Sequence, residues 1–396
     1  MKTILSERAT RLKPSATLAI SAQEKELKSQ GVDVVSFGAG EPDFTTPLHI
    51  REAAKRSLDR GETFYTPVGG TAEMKKAVVH RIAEDYGLEY TPGQIVVSCG
   101  AKHSLYNIFQ AILQPQDEVL VFAPYWVSYP EMIALAGGTP VVVPTREENG
   151  FVPDPGEMKA HITSSTKAML INSPSNPTGI IYPRDVLDKL AELADKHDLL
   201  VISDEIYDKL VYDGRTVTPF AKLPGMKDRT IMVNGVSKTY AMTGFRIGYL
   251  ASTRTELVKA ATDIQSQSTS NPNNTAQAAA VEALTGPQDE VERMRAIFEQ
   301  RRNTMVNGIG KIPQLSVIKP DGAFYTFVNI SKLSGKKNIV DSTADVARYL
   351  LERHHVACVP GGPFGSEDHI RLSFSTNEEE ILKGLERIRA ACAELT

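Results

Sequence analysis

Short apolar segments alternate with helical patterns through the middle of the chain, and this alternation limits the possible folds more than any other feature. The segment QIVVS at 94–98 precedes apolar residues at helical spacing, namely Leu105, Ile108, Phe109, Ile112 and Leu113. Further strands are predicted at 118–122, 167–172, 199–203, 230–234 and 245–250. Because these strands are apolar on both faces, they predict a mainly parallel sheet between helices, in the α/β class.

The C-terminal third has a different pattern. Segments 322–330 and 369–375 are typical of strands in a separate, smaller sheet. The last helix is predicted to begin at a capping box formed by Thr376 and Glu379. We therefore expect a large domain at 47–285, and a smaller α+β domain made from 1–46 with 286–396.

Composition excludes several classes of protein. The net charge of the 396 residues is −4 without a basic stripe, which argues against a nucleic-acid partner. No apolar run approaches the roughly 20 residues that span a membrane, and the first residues lack a signal-peptide core. The three cysteines lie far apart, so neither a disulfide framework nor a metal site is expected. A cytoplasmic protein without a structural metal is predicted.

Candidate ligand-binding residues follow the predicted strands, at the edge where parallel sheets bind ligands. They are Gly100, Ala101, Lys102, Trp126, Asn176, Asp204, Tyr207, Ser237 and Lys238. A lysine that can bond to a carbonyl, an acid for a pyridine nitrogen and a helix start for phosphate suit a phosphorylated pyridine aldehyde. Each residue alone has an ordinary explanation, since Asp204 is also typical of a helix cap, Asn176 of a turn and Trp126 of a core. Their joint occurrence at successive strand ends carries the prediction.

These residues lie in segments that resemble a known family over essentially the whole chain. The segments are FGAGEPDF (37–44), YTPVGG (65–70), APYWVSYPEM (123–132), NSPSNPTG (172–179), SDEIYDKLVY (203–212), NGVSKTYAMTGFRIGY (234–249), SQSTSNP (266–272), DGAFY (321–325) and HIRLSF (369–374). They resemble class I, fold-type I aminotransferases that use pyridoxal 5′-phosphate. Within that family the similarity is to the bacterial aspartate aminotransferase subgroup.

The resemblance implies a role for each matching residue. Lys238 is expected to hold the cofactor as a Schiff base, with Asp204 at the pyridine nitrogen. Tyr207 and Asn176 are expected to donate to the ring 3-oxygen, and Trp126 to stack on the ring. The residues implied at the cofactor phosphate are Gly100, Ala101, Lys102, Ser237, Arg246 and, from a neighbouring subunit, Tyr65. The last of these implies a homodimer with shared active sites.

The resemblance also implies how an amino-acid substrate is held. Arg371 matches the arginine that binds the α-carboxylate, with Gly40, Asn176 and Trp126 nearby. The segment 266–272 has no arginine for the distal carboxylate. Lys102 matches the residue that takes this role in the bacterial subgroup, assisted by Ser15 and Thr17. The alternative is that Lys102 only adds positive charge near the phosphate.

The expected activity is reversible amino transfer from L-aspartate to 2-oxoglutarate, giving oxaloacetate and L-glutamate. One alternative is a bifunctional enzyme that also converts prephenate to arogenate. Another is an aromatic or other amino-acid aminotransferase of the same fold. A DNA-reading regulator that keeps the cofactor fold is disfavoured, because only about 30 residues precede the first core strand.

Overall fold

A computed structural model describes residues 4–12, 16–333 and 342–395 of the chain. The helices are α1 (Glu7–Arg11), α2 (Ala16–Ser29), α3 (Leu48–Asp59), α4 (Ala72–Tyr86), α5 (Ala101–Ile112), α6 (Ser128–Leu135), α7 (Pro155–Ala160), α8 (Arg184–Lys196), α9 (Thr255–Ser268), α10 (Asn274–Thr285), α11 (Asp289–Ile309), α12 (Thr343–His354) and α13 (Glu378–Leu395). The strands are β1 (Val35–Ser36), β2 (Ile95–Ser98), β3 (Glu118–Ala123), β4 (Thr139–Pro144), β5 (Thr166–Asn172), β6 (Leu200–Asp204), β7 (Thr230–Gly235), β8 (Gly248–Ala251), β9 (Ser316–Val317), β10 (Tyr325–Asn329), β11 (Val356–Ala357), β12 (Val359–Pro360) and β13 (His369–Ser373).

A seven-stranded sheet forms the centre of the larger part of the molecule. Its order is β2-β8-β7-β6-β5-β3-β4. Neighbours from β7 to β4 are parallel, whereas β8 runs antiparallel to both β2 and β7. The predicted mainly parallel sheet is therefore confirmed, with β8 as the exception.

Helix signals in the sequence explain where several elements begin and end. The Thr71 hydroxyl accepts the Met74 N–H at 3.1 Å and so caps the start of α4. Gly87, in the left-handed region with φ +66°, caps its end. The apolar residues of α5 and α8 lie against the buried strands. Sequence and local structure agree for these three helices.

The edge strand β4 was not predicted from the sequence. It pairs in parallel with β3, but most of its residues are exposed or half-buried. Its sequence, TPVVVP, ends in a proline, which is tolerated at a sheet edge and obscures the strand signal. The sequence did not predict β4 because an edge strand is partly exposed and can contain proline.

A smaller sheet lies in the C-terminal part, as predicted. Its order is β12-β13-β10-β9, and its neighbouring strands are antiparallel. The N-terminal strand β1 pairs in parallel with β11, which joins the start of the chain to this part. We keep the division into a large domain at 47–285 and a small domain from 1–46 with 286–396 as a proposal, which this pairing supports.

The predicted cap of the last helix is wrong by one residue. Asn377, not Thr376, accepts the N–H of Glu380 through its side-chain oxygen at 2.9 Å, and α13 begins at Glu378. Asparagine is among the strongest helix caps, so it prevails over the neighbouring threonine. None of the helices within the described ranges is long and apolar enough to cross a membrane.

Candidate active site

A cavity of about 560 Å³ lies at the carboxyl edge of the seven-stranded sheet. Residues that follow β3, β5, β6 and β7 line it, together with residues from α2, from the segment after β1 and from β13. This is where an open parallel sheet places its ligands. The topology thus brings residues from distant parts of the sequence to one site.

Lys238 enters the cavity three residues after β7 ends. Its Nζ donates a hydrogen bond to the Gly40 carbonyl at 2.6 Å. Burial of the amine lowers the pKa of Lys238 to about 8. A lysine with such a pKa is unprotonated in a useful fraction of molecules near neutral pH, as a nucleophile or base requires.

Asp204 ends β6 and is only 4% exposed. The Tyr129 hydroxyl donates to its Oδ2 at 2.7 Å, and the Ile206 N–H donates to its Oδ1 at 3.3 Å. Burial raises the pKa of Asp204 to about 6, and the Tyr129 bond opposes that rise. Tyr129 was not singled out from the sequence, because nothing in the segment APYWVSYPEM indicates that its hydroxyl turns toward β6.

Asn176 and Tyr207 lie at the same cavity as Asp204. Asn172 connects them to the strand ends, since its amide donates to the Asp204 carbonyl at 3.0 Å and accepts the Asn176 N–H at 2.9 Å. The hydroxyls of Tyr207 and Tyr325 are 3.0 Å apart. Tyr325 is a second residue of the site that the sequence motifs did not single out.

Arg371 lies on β13 and is 1% exposed. Its Nη1 donates to the Asn176 side chain at 3.1 Å and its Nη2 to the Gly38 carbonyl at 3.0 Å. The guanidinium stacks over the Tyr325 ring at 4.3 Å. Its buried Nε has no hydrogen-bond partner among the described residues. An unsatisfied donor on a buried cation indicates a place for an anionic ligand.

The start of α5 forms a narrow cradle beside Arg246. Gly100 has φ +93°, and a Cβ built there would lie 2.3 Å from Nη2 of Arg246. A Cβ on Gly248 would lie 2.2 Å from the Ala101 nitrogen, so β8 can approach α5 only through a glycine. Free N–H groups at a helix start beside an arginine favour a phosphate. Ser237 lines the same cavity.

Lys102 lies in the first turn of α5, and its Nζ is 4.7 Å from the centroid of the Trp126 ring. Burial and then the Arg246 charge lower the pKa of Lys102. Thr17, on α2, lines the cavity together with these two residues. Ser15, which was predicted to assist Lys102, lies outside the described residues.

Tyr65 is not part of the cavity formed by its own chain. Its side chain is 91% exposed, and the neighbouring Phe64 is exposed as well. The other predicted residues, apart from Ser15, Gly100 and Tyr65, line the cavity directly. The single chain therefore brings most of the predicted site together and leaves Tyr65 outside it.

The sequence matches a family model described as aminotransferase class I and II over residues 32–388. The chain belongs to the class I and II aminotransferases. It is a transaminase, as predicted, and its sheet architecture is that of fold type I. The family implies pyridoxal 5′-phosphate as the cofactor.

Relatives and solved structures agree with this family. The chain is 47% identical to an aspartate aminotransferase of Bacillus subtilis over 97% of its length and 98% of that protein. It is 45% identical to an aspartate/prephenate aminotransferase of Thermus thermophilus over 97% of each. Its fold matches a structure described as aspartate aminotransferase from Thermus thermophilus with maleate, with a TM-score of 0.93, 44% identity, and coverage of 99% of this chain and 100% of that one.

The cavity of this aminotransferase fits its implied cofactor. The Arg371 Nε, which has no partner among the described residues, and the Gly100 cradle favour anionic groups. Lys238 and Asp204 would supply the amine and the acid that a pyridine aldehyde requires. The volume of about 560 Å³ lies within the range usual for a cofactor site. No cluster of potential metal ligands occurs among the described residues.

Proposed function

We propose that this aminotransferase is an aspartate aminotransferase, which transfers the amino group of L-aspartate to 2-oxoglutarate and gives oxaloacetate and L-glutamate. The observation that carries the proposal is the buried Arg371, whose Nε has no hydrogen-bond partner within the described part of the chain, at the same cavity as the cationic Lys102. Two cations at one cavity suit a substrate with two carboxylates.

When bound, pyridoxal 5′-phosphate supplies an aldehyde and a ring that withdraws electrons. We propose that the Lys238 Nζ would hold this aldehyde and that, as a free amine, it would take the proton from the substrate α-carbon. The Asp204 carboxylate would pair with the protonated ring nitrogen. Tyr207 and Asn176 would donate to the ring 3-oxygen, and Trp126 would stack on the ring face.

The phosphate and substrate groups have separate sites in this proposal. Ser237, Arg246 and the N–H groups at the start of α5 would bind the phosphate. Arg371 would bind the α-carboxylate through its planar fork, beside Gly40 and Asn176. Lys102, with Thr17 and Ser15, would bind the distal carboxylate. The Thermus thermophilus structure described with maleate, a four-carbon dicarboxylate, supports this assignment.

Prephenate is a second candidate acceptor, which would give arogenate. Aspartate/prephenate aminotransferases of Thermus thermophilus and Cereibacter sphaeroides are each 45% identical to this chain. Lys102 and Thr17, which the resemblance assigns to the distal carboxylate, line the same cavity here. The acceptor assay below separates this candidate from an enzyme specific for 2-oxoglutarate.

We also propose a homodimer with shared active sites. The exposed Tyr65 does not line its own chain's cavity, and a partner subunit would bring it to the phosphate. The cytoplasmic location expected from the sequence stays a prediction.

The test of the proposed function is a matrix of amino donors and oxo-acid acceptors, followed through the absorbance of the bound cofactor. L-Aspartate or L-glutamate should change the spectrum, and 2-oxoglutarate should restore it. Restoration by prephenate as well would identify the bifunctional enzyme. A response only to L-alanine or aromatic donors would contradict the dicarboxylate assignment.

Lys102→Ala tests the distal site directly. The loss of one charge-assisted hydrogen bond, about 1.5–3 kcal/mol, should lower kcat/KM for L-aspartate about 10–150-fold and leave L-alanine unchanged. Lys25→Ala is the matched control, because Lys25 is another cation that lines the same cavity. Equal losses of kcat/KM in both variants, or a loss of kcat/KM for L-alanine, would show that Lys102 contributes only a general positive charge.

A further inference from the structure

Glu41 links three parts of the active site and has no role in the function proposed above. It follows β1 and lines the same cavity as Lys238. Its carboxylate Oε2 accepts the Thr243 hydroxyl at 2.7 Å, and its backbone carbonyl accepts the Ser375 hydroxyl at 2.6 Å. The residue is therefore fixed on one side to the turn before β8 and on the other to the segment after β13.

The residue before Glu41 contacts the reactive lysine. The Gly40 carbonyl accepts a hydrogen bond from Lys238 Nζ at 2.6 Å. The Gly40 carbonyl belongs to the peptide unit that joins Gly40 to Glu41, so the Glu41–Thr243 bond restricts its position. The Thr243 carbonyl in turn accepts Arg246 Nη1 at 3.0 Å, which connects this contact to the phosphate cradle.

The charged groups around Lys238 change its pKa by different amounts. Burial lowers its pKa to about 8, and among the charged groups the Glu41 carboxylate has the largest influence, which raises that pKa. Arg246 and Arg371 lower the pKa, and Asp204 raises it by less than Glu41 does. The acid with the greatest effect on the amine is thus Glu41, rather than the acid assigned to the cofactor ring.

We propose that Glu41 is a positioning residue for the aminotransferase reaction: its carboxylate, held by the Thr243 hydroxyl, keeps the Gly40 carbonyl and one negative charge beside the Lys238 amine. The inference rests on the proposed function for its role in turnover. The effect of Glu41 on the Lys238 amine can be measured without turnover.

The experiment measures Lys238 itself in the cofactor-free protein. Trace labelling with an amine-reactive reagent across about pH 6 to 10, followed by mass spectrometry of the Lys238 peptide, gives the fraction of free amine. Glu41→Gln keeps an oxygen acceptor for Thr243 and removes the charge. At pH 7 it should label Lys238 about threefold or more faster than the wild type, because the free amine is then easier to form.

Two further variants separate charge from position. Thr243→Val removes the hydroxyl and keeps the Glu41 charge, so labelling should be faster than in the wild type but slower than in Glu41→Gln. Glu24→Gln is the matched control, since Glu24 lines the same cavity but is bonded to Lys28 at 2.7 Å and Ser36 at 2.8 Å. It should label like the wild type.

The outcomes decide the proposal. Wild-type labelling in Glu41→Gln, or equal acceleration in Glu24→Gln, would overturn the specific role of Glu41. Wild-type labelling in Thr243→Val would overturn the positioning by Thr243. In the loaded enzyme, the acid limb of the kcat/KM profile for L-aspartate should move to lower pH in Glu41→Gln. Absence of any aspartate turnover in the wild type would refute the proposed function while the labelling result still stands.

Discussion

Replacement of Arg371 by lysine isolates the value of the planar guanidinium fork. Lysine keeps the positive charge on β13 but loses the geometry that lets two parallel N–H groups meet one carboxylate. In the structure the two Nη atoms already bind Asn176 and Gly38, and Nε is uncommitted. The shorter, point-like ammonium cannot keep these contacts and also bind a substrate bidentately.

The expected magnitude follows from the hydrogen bonds at stake. A hydrogen bond to a charged group contributes about 1.5–3 kcal/mol, so loss of one of two bonds to the α-carboxylate costs about 2 kcal/mol. That corresponds to a decrease of about 30-fold in kcat/KM. Arg371→Ala leaves a carboxylate without its counter-charge, at about 3–5 kcal/mol, and should decrease kcat/KM more than a hundredfold.

The assay compares kcat/KM for L-aspartate and L-alanine, since both carry an α-carboxylate and both should be affected. Arg302→Lys is the matched control, because Arg302 is also fully buried and is paired with Asp213 at 2.7 and 2.9 Å away from the cavity. It should lower the Tm and leave KM unchanged. An Arg371→Lys enzyme within threefold of wild-type kcat/KM, or an equal catalytic loss in Arg302→Lys, would refute the reasoning.

Three other predictions concern the cofactor site. Lys238→Ala should fold, lose nearly all turnover and retain no cofactor on the protein after borohydride reduction and denaturation; retained turnover would remove Lys238 from its role. Burial raises the pKa of Asp204 from 3.8 to about 6, so the stability that its neutral form contributes is full below about pH 4 and is lost as the pH rises through 6. In the cofactor-free protein, Asp204→Asn should therefore increase the free energy of unfolding at pH 8 by up to about 3 kcal/mol, seen as a higher Tm, and should not change it at pH 4. Equal changes at both pH values would contradict the burial argument. If Tyr65 acts across a dimer, mixed Tyr65→Ala and Lys238→Ala subunits should recover up to about a quarter of wild-type turnover, and no gain on mixing would count against shared sites.

Much of the site could be predicted because its residues follow strands in sequence order. Lys238, Asp204 and Asn176 each come just after an apolar run, and parallel strands end at one edge of a sheet. The pattern of an apolar run followed by a reactive residue therefore predicted both the chemical groups of the site and their position at the sheet edge. The same reasoning could not find Tyr129 or Glu41, because their roles depend on contacts with residues 75 and 202 positions away.

The sequence by itself determined the local elements, the parallel core and the identity of the reactive groups, since these depend on periodicity, caps and side-chain chemistry. Only the tertiary structure decided the edge strand β4 and the antiparallel β8. It also decided that the buried Arg371 Nε has no partner among the described residues, and which carboxylate most affects the pKa of Lys238. These properties arise from burial and from distances between remote segments, which no short stretch of sequence contains.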